Sequence, residues 1–201
     1  MFAPCFPFFP QQCIETYEAA LKKFHALPSI WVAYATFMYS QPSQIAAGRE
    51  LLKRAMQRLD KAEHVALLVK FAQLEFHVAH NVDRGRTLLE GVLSSYPKRV
   101  DLWNIYLDME LKLAKRLAEL AASSAAAPLS KSGKDGNALN LESVRRLFER
   151  ITSLSLSTKK MKFFFKKYLI FEKSHGADHE RIEAVKNKAK QFVASKMHAD
   201  E

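Results

Sequence analysis

Seven histidines and a run of lysines wrapped around phenylalanine are the residues of this chain whose types and spacing could do chemistry. His77-x-x-His80 and His175-x-x-x-His179 could each bring two imidazoles to one metal ion. Neither pair has the cysteines or clustered carboxylates that would complete a coordination set, so the expectation is no metal and no cofactor. Ser132-Gly-Lys-Asp-Gly136 has the composition of a phosphate loop without the G-x-x-x-x-G-K-[ST] spacing. No nucleophile elbow or dinucleotide fingerprint occurs. With no catalytic residues to name, the chain reads as a binding protein and not an enzyme.

The segment from Lys159 to Lys167 places Lys159, Lys160, Lys162, Lys166 and Lys167 around Phe163, Phe164 and Phe165. Lysines near phosphate are a source of salt-dependent affinity for nucleic acid. On a helix, Met161, Phe164, Phe165 and Tyr168 share one face and Lys159, Lys162 and Lys166 another. That geometry makes the aromatics core and not base-stacking platforms. It leaves the lysines as either a solvated face or a contact for RNA or an acidic partner. Arg54, Arg58 and Lys61 form a second basic line at i, i+4 and i+7, read as one helix face with the same two meanings. The net charge is +10, and residues 141–201 carry 14 Lys+Arg against 8 Asp+Glu, which concentrates the positive field at the C-terminal end.

The elements that would hold these residues declare themselves by repetition. Four segments share one spacing of bulky residues: Trp31, Tyr34, Phe37; Leu68, Phe71, Leu74, Glu75; Trp103, Tyr106, Met109, Glu110; and Phe165, Tyr168, Phe171, Glu172. Their first members lie 37, 35 and 62 residues apart. The long third step contains Ala121 to Asn140, an Ala/Ser/Gly/Lys tract expected to be a flexible insertion. Between these segments lies a second kind of helix: Gly48-Arg-Glu-Leu-Leu-Lys-Arg-Ala55, Gly85-Arg-Thr-Leu-Leu-Glu-Gly-Val92 and Val144-Arg-Arg-Leu-Phe-Glu-Arg-Ile151, with weaker copies at Ile14–Leu21 and Val185–Phe192. Pro28 and Pro97 follow such helices closely, where a helix cannot continue.

A helix pair repeated every 35 residues or so predicts an all-α fold, an α-α superhelix in which antiparallel pairs stack to share one core. About four pairs and a leading helix fit between residues 11 and 196, flanked by an irregular N-terminus (1–10) and a short tail (197–201). Glu75, Glu110 and Glu172 recur at one repeat position, which marks them as structural and predicts a basic partner on a neighbouring helix. The 48% hydrophobic and 26% charged content suits a soluble domain. Cys5 and Cys13 make no disulfide framework, which suits a reducing compartment. The apolar start lacks a basic n-region, and the uncharged stretch from Phe24 to Gly48 is cut by Pro28 and Pro42, so neither a signal peptide nor a membrane span is expected.

The pattern Trp-x-x-Tyr with Glu seven residues after the Trp, followed by a helix with Arg and a trailing Pro, resembles the HAT (half-a-tetratricopeptide) repeat. Trp103, Tyr106 and Glu110 match the first helix, Arg150 the second and Pro97 the trailing proline. Met38 stands where a Glu would follow Trp31, and Gly91 where an Arg would be. Within that group, Phe71–Phe76, Arg84–Trp103 and Lys159–Tyr168 resemble the C-terminal region of the ribosomal RNA biogenesis family that pairs S1 with HAT repeats, the programmed cell death protein eleven family. The similarity runs from about Trp31 to Val193 outside residues 121–140. It implies a nucleolar, nuclear scaffold of pre-ribosomal RNA processing, with ribosome-assembly proteins as partners and pre-rRNA as a second ligand. Such families carry S1-type domains ahead of the repeats; none is encoded here, so a fragment, a truncated gene model or a separately encoded tail is expected. The competing expectations are a HAT subunit of a splicing or mRNA 3′-end processing complex, and a direct RNA-binding module. Homodimerisation through an uncovered end face is a further expectation.

Overall fold

Few breakers, with apolar residues recurring at three and four positions, leave packed helices as the way for this chain to bury its side chains. The computed structural model describes residues 9–124, 132–175 and 179–197, and among these every regular element is helical. The fold is all-α and built of repeated helix pairs. It divides into two compact units, residues 1–96 and 97–201.

The first unit opens with α1 (Phe9–Phe24), then pairs α2 (Pro28–Ser40) with α3 (Ile45–Arg58) and α4 (Lys61–His77) with α5 (Val82–Ser95). The connections are so short that each helix must run back along its predecessor. Pro28 opens α2, where its missing N–H costs nothing. That helix buries Trp31, Tyr34, Ala35, Met38 and Tyr39, an i, i+3, i+4, i+7, i+8 stripe. Helix α4 packs against both α2 and α3. Its Leu67, Phe71 and Leu74 join Trp31, Tyr34, Met38, Leu51 and Ala55 in one cluster, each large side chain contributing roughly 1.5–3 kcal/mol by leaving water. After α4, His80 takes a left-handed backbone (φ 53°). The turn lets the Asn81 N–H donate to the Glu75 carbonyl at 2.8 Å, and the Asn81 side chain caps α5 by accepting from the Arg84 N–H at 3.1 Å.

The second unit contains α6 (Val100–Ser124), α7 (Ser132–Thr152), α8 (Thr158–His175) and α9 (His179–Met197). Packing runs α6 on α7, α7 on α8 and α8 on α9. The stretch 121–140, expected as a loop, is helical at both ends, because α6 runs on to Ser124 and α7 begins at Ser132. Alanine is the strongest helix former, so an Ala-rich tract extends a helix beyond the last residue its core pattern requires. Residues 125–131 lie outside the described residues, as do 1–8 and 198–201; Phe9 and Pro10, expected to be irregular, belong to α1. No described helix is long and apolar enough to cross a membrane.

Two local devices recur. The Trp31 indole N–H donates to the His25 carbonyl at 2.8 Å, and that of Trp103 to the Pro97 carbonyl at 2.7 Å. In both cases a buried tryptophan finds its partner six residues upstream and ties the connection down onto the helix it precedes. The second device is close approach. A Cβ on Gly48 would meet the Tyr39 ring at 2.9 Å, and one on Gly85 would meet the Phe76 ring at 2.3 Å and the Ala72 carbonyl at 3.2 Å. Tyr39 and Phe76 hold equivalent places eight residues after Trp31 and Leu68. In the next pair that place is Leu111, and the glycine's place is taken by the fully buried Val144. Bulk moves from the first helix to the second, and the interface stays filled.

Gly85→Ala is therefore expected to destabilise the chain by about 1–3 kcal/mol through overpacking, despite alanine's better helix propensity. Gly91→Ala, where a new Cβ meets nothing within 4 Å, should stabilise it by about 0.5–1 kcal/mol. Urea denaturation of the two variants reads the opposite signs.

Glutamate clamps and candidate partner-binding surfaces

The deepest polar group of the first unit is the Glu75 carboxylate, fully buried on α4. A lone carboxylate there would be several kcal/mol too costly to keep ionised. Arg49 of α3 meets it with two parallel bonds, Nε to Oε1 and Nη2 to Oε2, both 2.8 Å. Arg84 of α5 lies 3.1 Å from Oε1, and the Tyr39 hydroxyl of α2 donates to the same oxygen at 2.8 Å. Four helices thus converge on one carboxylate, and the fork geometry fixes the register of α3 on α4. Burial, then the bond to Glu75, pushes the Tyr39 phenol well above its ordinary range; the bond to Glu75 likewise raises Arg49.

The second unit repeats the device. Glu172 of α8 is buried and takes Arg145 of α7 through Nε at 2.9 Å and Nη2 at 3.2 Å. The Arg145 guanidinium also sits 5.9 Å from the Phe171 ring centre. Glu110 on α6 is buried at the same repeat position. Sequence spacing identified the glutamates but not their partners. The signal was present, since an arginine follows the residue that opens the shared segment in Gly48-Arg49 and Val144-Arg145.

A second tie joins α2 and α3 to α1, and α8 and α9 to α7. Tyr34 stacks on Tyr17 of α1, centroids 4.9 Å apart, and donates to Glu18 at 3.1 Å. Arg54 of α3 grips the same carboxylate with two 2.8 Å bonds. In the second unit Tyr168 stacks on Phe148 of α7 at 4.5 Å and donates to Glu149 at 3.1 Å, while Lys188 of α9 pairs with that glutamate. The Arg54 hydrogen bonds hold the Glu18 carboxyl below the usual carboxylate range, against a smaller opposing effect of burial. Burial, with Glu18 alongside, pushes Tyr34 up to about 12. In the weakest copy of the second-type helix, Val185 therefore takes the place of Leu51, and Lys188 that of Arg54, three residues from the alignment that sequence alone suggested.

Arginines of the second helices also cover the tryptophans: Arg54 lies 5.7 Å from the Trp31 ring centre and Arg150 5.2 Å from that of Trp103. Such cation–π contacts add roughly 0.5–1 kcal/mol each when exposed.

The basic residues singled out by sequence divide accordingly. Lys159, Lys160, Lys162 and Lys166 are exposed on α8 and form no ion pair among the described residues. Lys167 is instead engaged, donating to Asn104 at 2.6 Å and Asp108 at 2.5 Å on α6. The aromatics between these lysines are buried, save Phe163, which is 49% exposed. The line Arg54–Arg58–Lys61 does not exist as a helix face. Helix α3 stops at Arg58, Leu59 and Asp60 are extended (ψ 152° and 147°), and Lys61 starts α4.

No family model matches the chain. It is 42% identical over 186 residues to the rRNA biogenesis protein rrp5 of Schizosaccharomyces pombe, spanning 92% of this chain and 9% of that protein. It is 38% identical over 185 residues to the Protein RRP5 homolog of Mus musculus, spanning 92% and 8%. It is 39% identical over 186 residues to that of Homo sapiens, with the same shares. The chain thus spans less than a tenth of the length of each of these relatives.

Removing Glu75 leaves a forked arginine facing an apolar seam, so Glu75→Ala should cost about 3 kcal/mol or more. Glu50→Ala, which breaks only the exposed pair with Lys53, should cost less than about 0.5 kcal/mol; chemical denaturation separates the two. The Glu18–Arg54 pair should show its charge through pH. Because the folded carboxyl is held low, its contribution is complete above the unfolded carboxylate value and is lost as pH falls through the folded one. The stability gap between the native chain and Glu18→Gln should therefore hold steady at neutral pH and narrow as pH falls below the ordinary carboxylate range, as read by urea denaturation across pH.

Proposed function

We propose that this chain is a HAT-repeat scaffold of ribosomal RNA biogenesis, non-catalytic, acting in the nucleolus, and working by holding assembly-factor proteins on its helical surfaces. The observation that carries the reading is similarity at 34–42% identity along nearly the whole chain to RRP5 proteins of a fungus, animals and a plant, those of the fungus, the plant and the fly being named rRNA biogenesis proteins. The geometry is consistent with a scaffold. Two of its buried carboxylates, Glu75 and Glu172, are bound to arginines of neighbouring helices and hold those helices in register. The polar chemistry at those places serves assembly of the fold.

A second reading, direct contact with pre-rRNA, is favoured by the exposed, unpaired Lys159, Lys160, Lys162 and Lys166 on α8. Phosphate contacts of this kind weaken steeply with salt and discriminate little between sequences. Charge reversal at Lys159, Lys162 and Lys166 should then weaken binding to all RNAs alike, as read by filter binding.

The test of the main reading is a tagged pull-down from nuclear extract, with and without RNase, read by mass spectrometry. Ribosome-assembly proteins retained after RNase are the expected result. Recovery that vanishes with RNase moves the mechanism to RNA, and recovery of splicing or 3′-end cleavage factors overturns the assignment to rRNA biogenesis.

A further inference from the structure

The groove between α8 and α9 has the lining of a docking site. A cleft of about 430 Å³ is floored by Phe165, Leu169, Phe192 and Val193 and rimmed by Lys162, Lys166 and Lys173, and every residue that lines it is apolar or cationic. The three lysines form no ion pair among the described residues. Ile170, on the same edge, is 58% exposed. In the neighbouring cleft between α7 and α9, by contrast, Arg145 and Lys188 lie among Glu142, Glu149 and Glu172. The α8–α9 groove has the cations without their counter-charges.

The first unit shows what shape fills such a groove. With a constant offset of 134 residues, Phe165 holds the place of Trp31, Leu169 that of Ala35 and Val193 that of Leu59. Between α2 and α3 those places are buried, and α4 packs against both helices with Leu67, Phe71 and Leu74 in the shared cluster. Between α8 and α9, Leu169 and Val193 remain partly exposed. The geometry calls for an apolar i, i+4, i+7 edge, and the rim calls for negative charge on both sides of it.

We propose that the α8–α9 groove receives an amphipathic acidic helix of a partner protein, seated as α4 is seated on α2 and α3. The proposal rests on the scaffold reading and names its docking site. RNA fits less well, because Leu169 and Val193 offer phosphates no hydrogen bond and bases no ring, and Phe165 is buried. The lysines supply attraction over roughly a Debye length of 8–10 Å, and the apolar floor fixes the register.

The experiment uses the whole chain and a fluorescein-labelled synthetic helix with leucines at the spacing of Leu67, Phe71 and Leu74, flanked by glutamates; a second helix carries lysines in their place. Fluorescence anisotropy should show saturable binding of the acidic helix, weakening as salt rises. The combined change Lys162→Glu, Lys166→Glu and Lys173→Glu, all exposed positions, should weaken it by about tenfold or more, equivalent to ~1.4 kcal/mol. The same variant should acquire binding of the lysine-flanked helix, a gain that a misfolded chain cannot give, and circular dichroism checks its helicity. Val193→Asp should abolish binding of both. Equal binding of both helices by the native chain, or acidic-helix binding indifferent to the charge reversal, overturns the proposal. So does displacement of the helix by a second copy of the chain in sedimentation, or groove-dependent binding of oligouridine in place of peptide. If the triple variant still retains assembly factors in the RNase-treated pull-down, the groove proposal fails and the scaffold reading stands. If the peptide binds as expected but no assembly factor is captured, the reverse holds.

Discussion

A carboxylate with no water around it must be given its hydrogen bonds by the protein, and that demand organises both units. Glu75 cannot be buried unless α3 brings Arg49, α5 brings Arg84 and α2 brings Tyr39 to the same point. Apolar packing alone sets register less sharply, since apolar side chains of similar volume exchange at modest cost. The fork of a guanidinium on a carboxylate does not tolerate it. The clamp therefore adds register to a core whose stability comes from Trp31, Phe71 and their neighbours. Glu172 and Arg145 impose the same condition on α7 and α8.

The degenerate repeat positions support this view, because they change in matched sets. Leu68 lacks the tryptophan's ring, and Gly91 stands where an arginine would lie over it. Phe71 lacks the tyrosine's hydroxyl, and Lys53, aligned with Glu149, stands where its acceptor would be. Leu111 gives up the ring that Tyr39 and Phe76 carry, and Val144 fills the space a glycine leaves elsewhere. Each pair of changes alters both partners of a contact made elsewhere in the repeat. A repeat that tolerated isolated losses would instead show orphaned hydroxyls or cavities, each costing about 1–3 kcal/mol.

Sequence made the helical fold class and the first-type helices legible, because aromatic stripes at i, i+3 and i+6 admit one period. It also marked Glu75 and Glu172 as structural, by recurrence. What it missed depends on three-dimensional partners or on breaks of register. Arg49 and Arg145 carry no mark until the facing glutamate is in place. The break at Leu59 and Asp60 is invisible to a charge pattern that happens to continue at i+7, yet it puts Lys61 on α4 and not on α3. The alanine tract after Leu120 was read as a loop because its core pattern stops, whereas backbone propensity alone carries α6 to Ser124. The place of Lys188 is set by Glu149 and Tyr168, which lie on other helices.

The division of labour between the two basic side chains connects the clamps to the proposed surface. The arginines at repeat positions, Arg49, Arg54, Arg145 and Arg150, are held in forks or over rings, which is where a planar guanidinium with fixed donors is effective. The lysines of α8, apart from Lys167, form no ion pair among the described residues. A flexible ammonium contributes field and little geometry, so a face built from Lys162, Lys166 and Lys173 can attract an acidic segment without specifying its register. Register has to come from the apolar groove those lysines flank, as it comes from Leu67, Phe71 and Leu74 where α4 lies on α2 and α3. The net positive charge of the chain is thus not a uniform property of its surface: the charge of Arg49 and Arg145 is used inside the fold, whereas that of Lys162, Lys166 and Lys173 stands at the surface where an acidic partner would meet it.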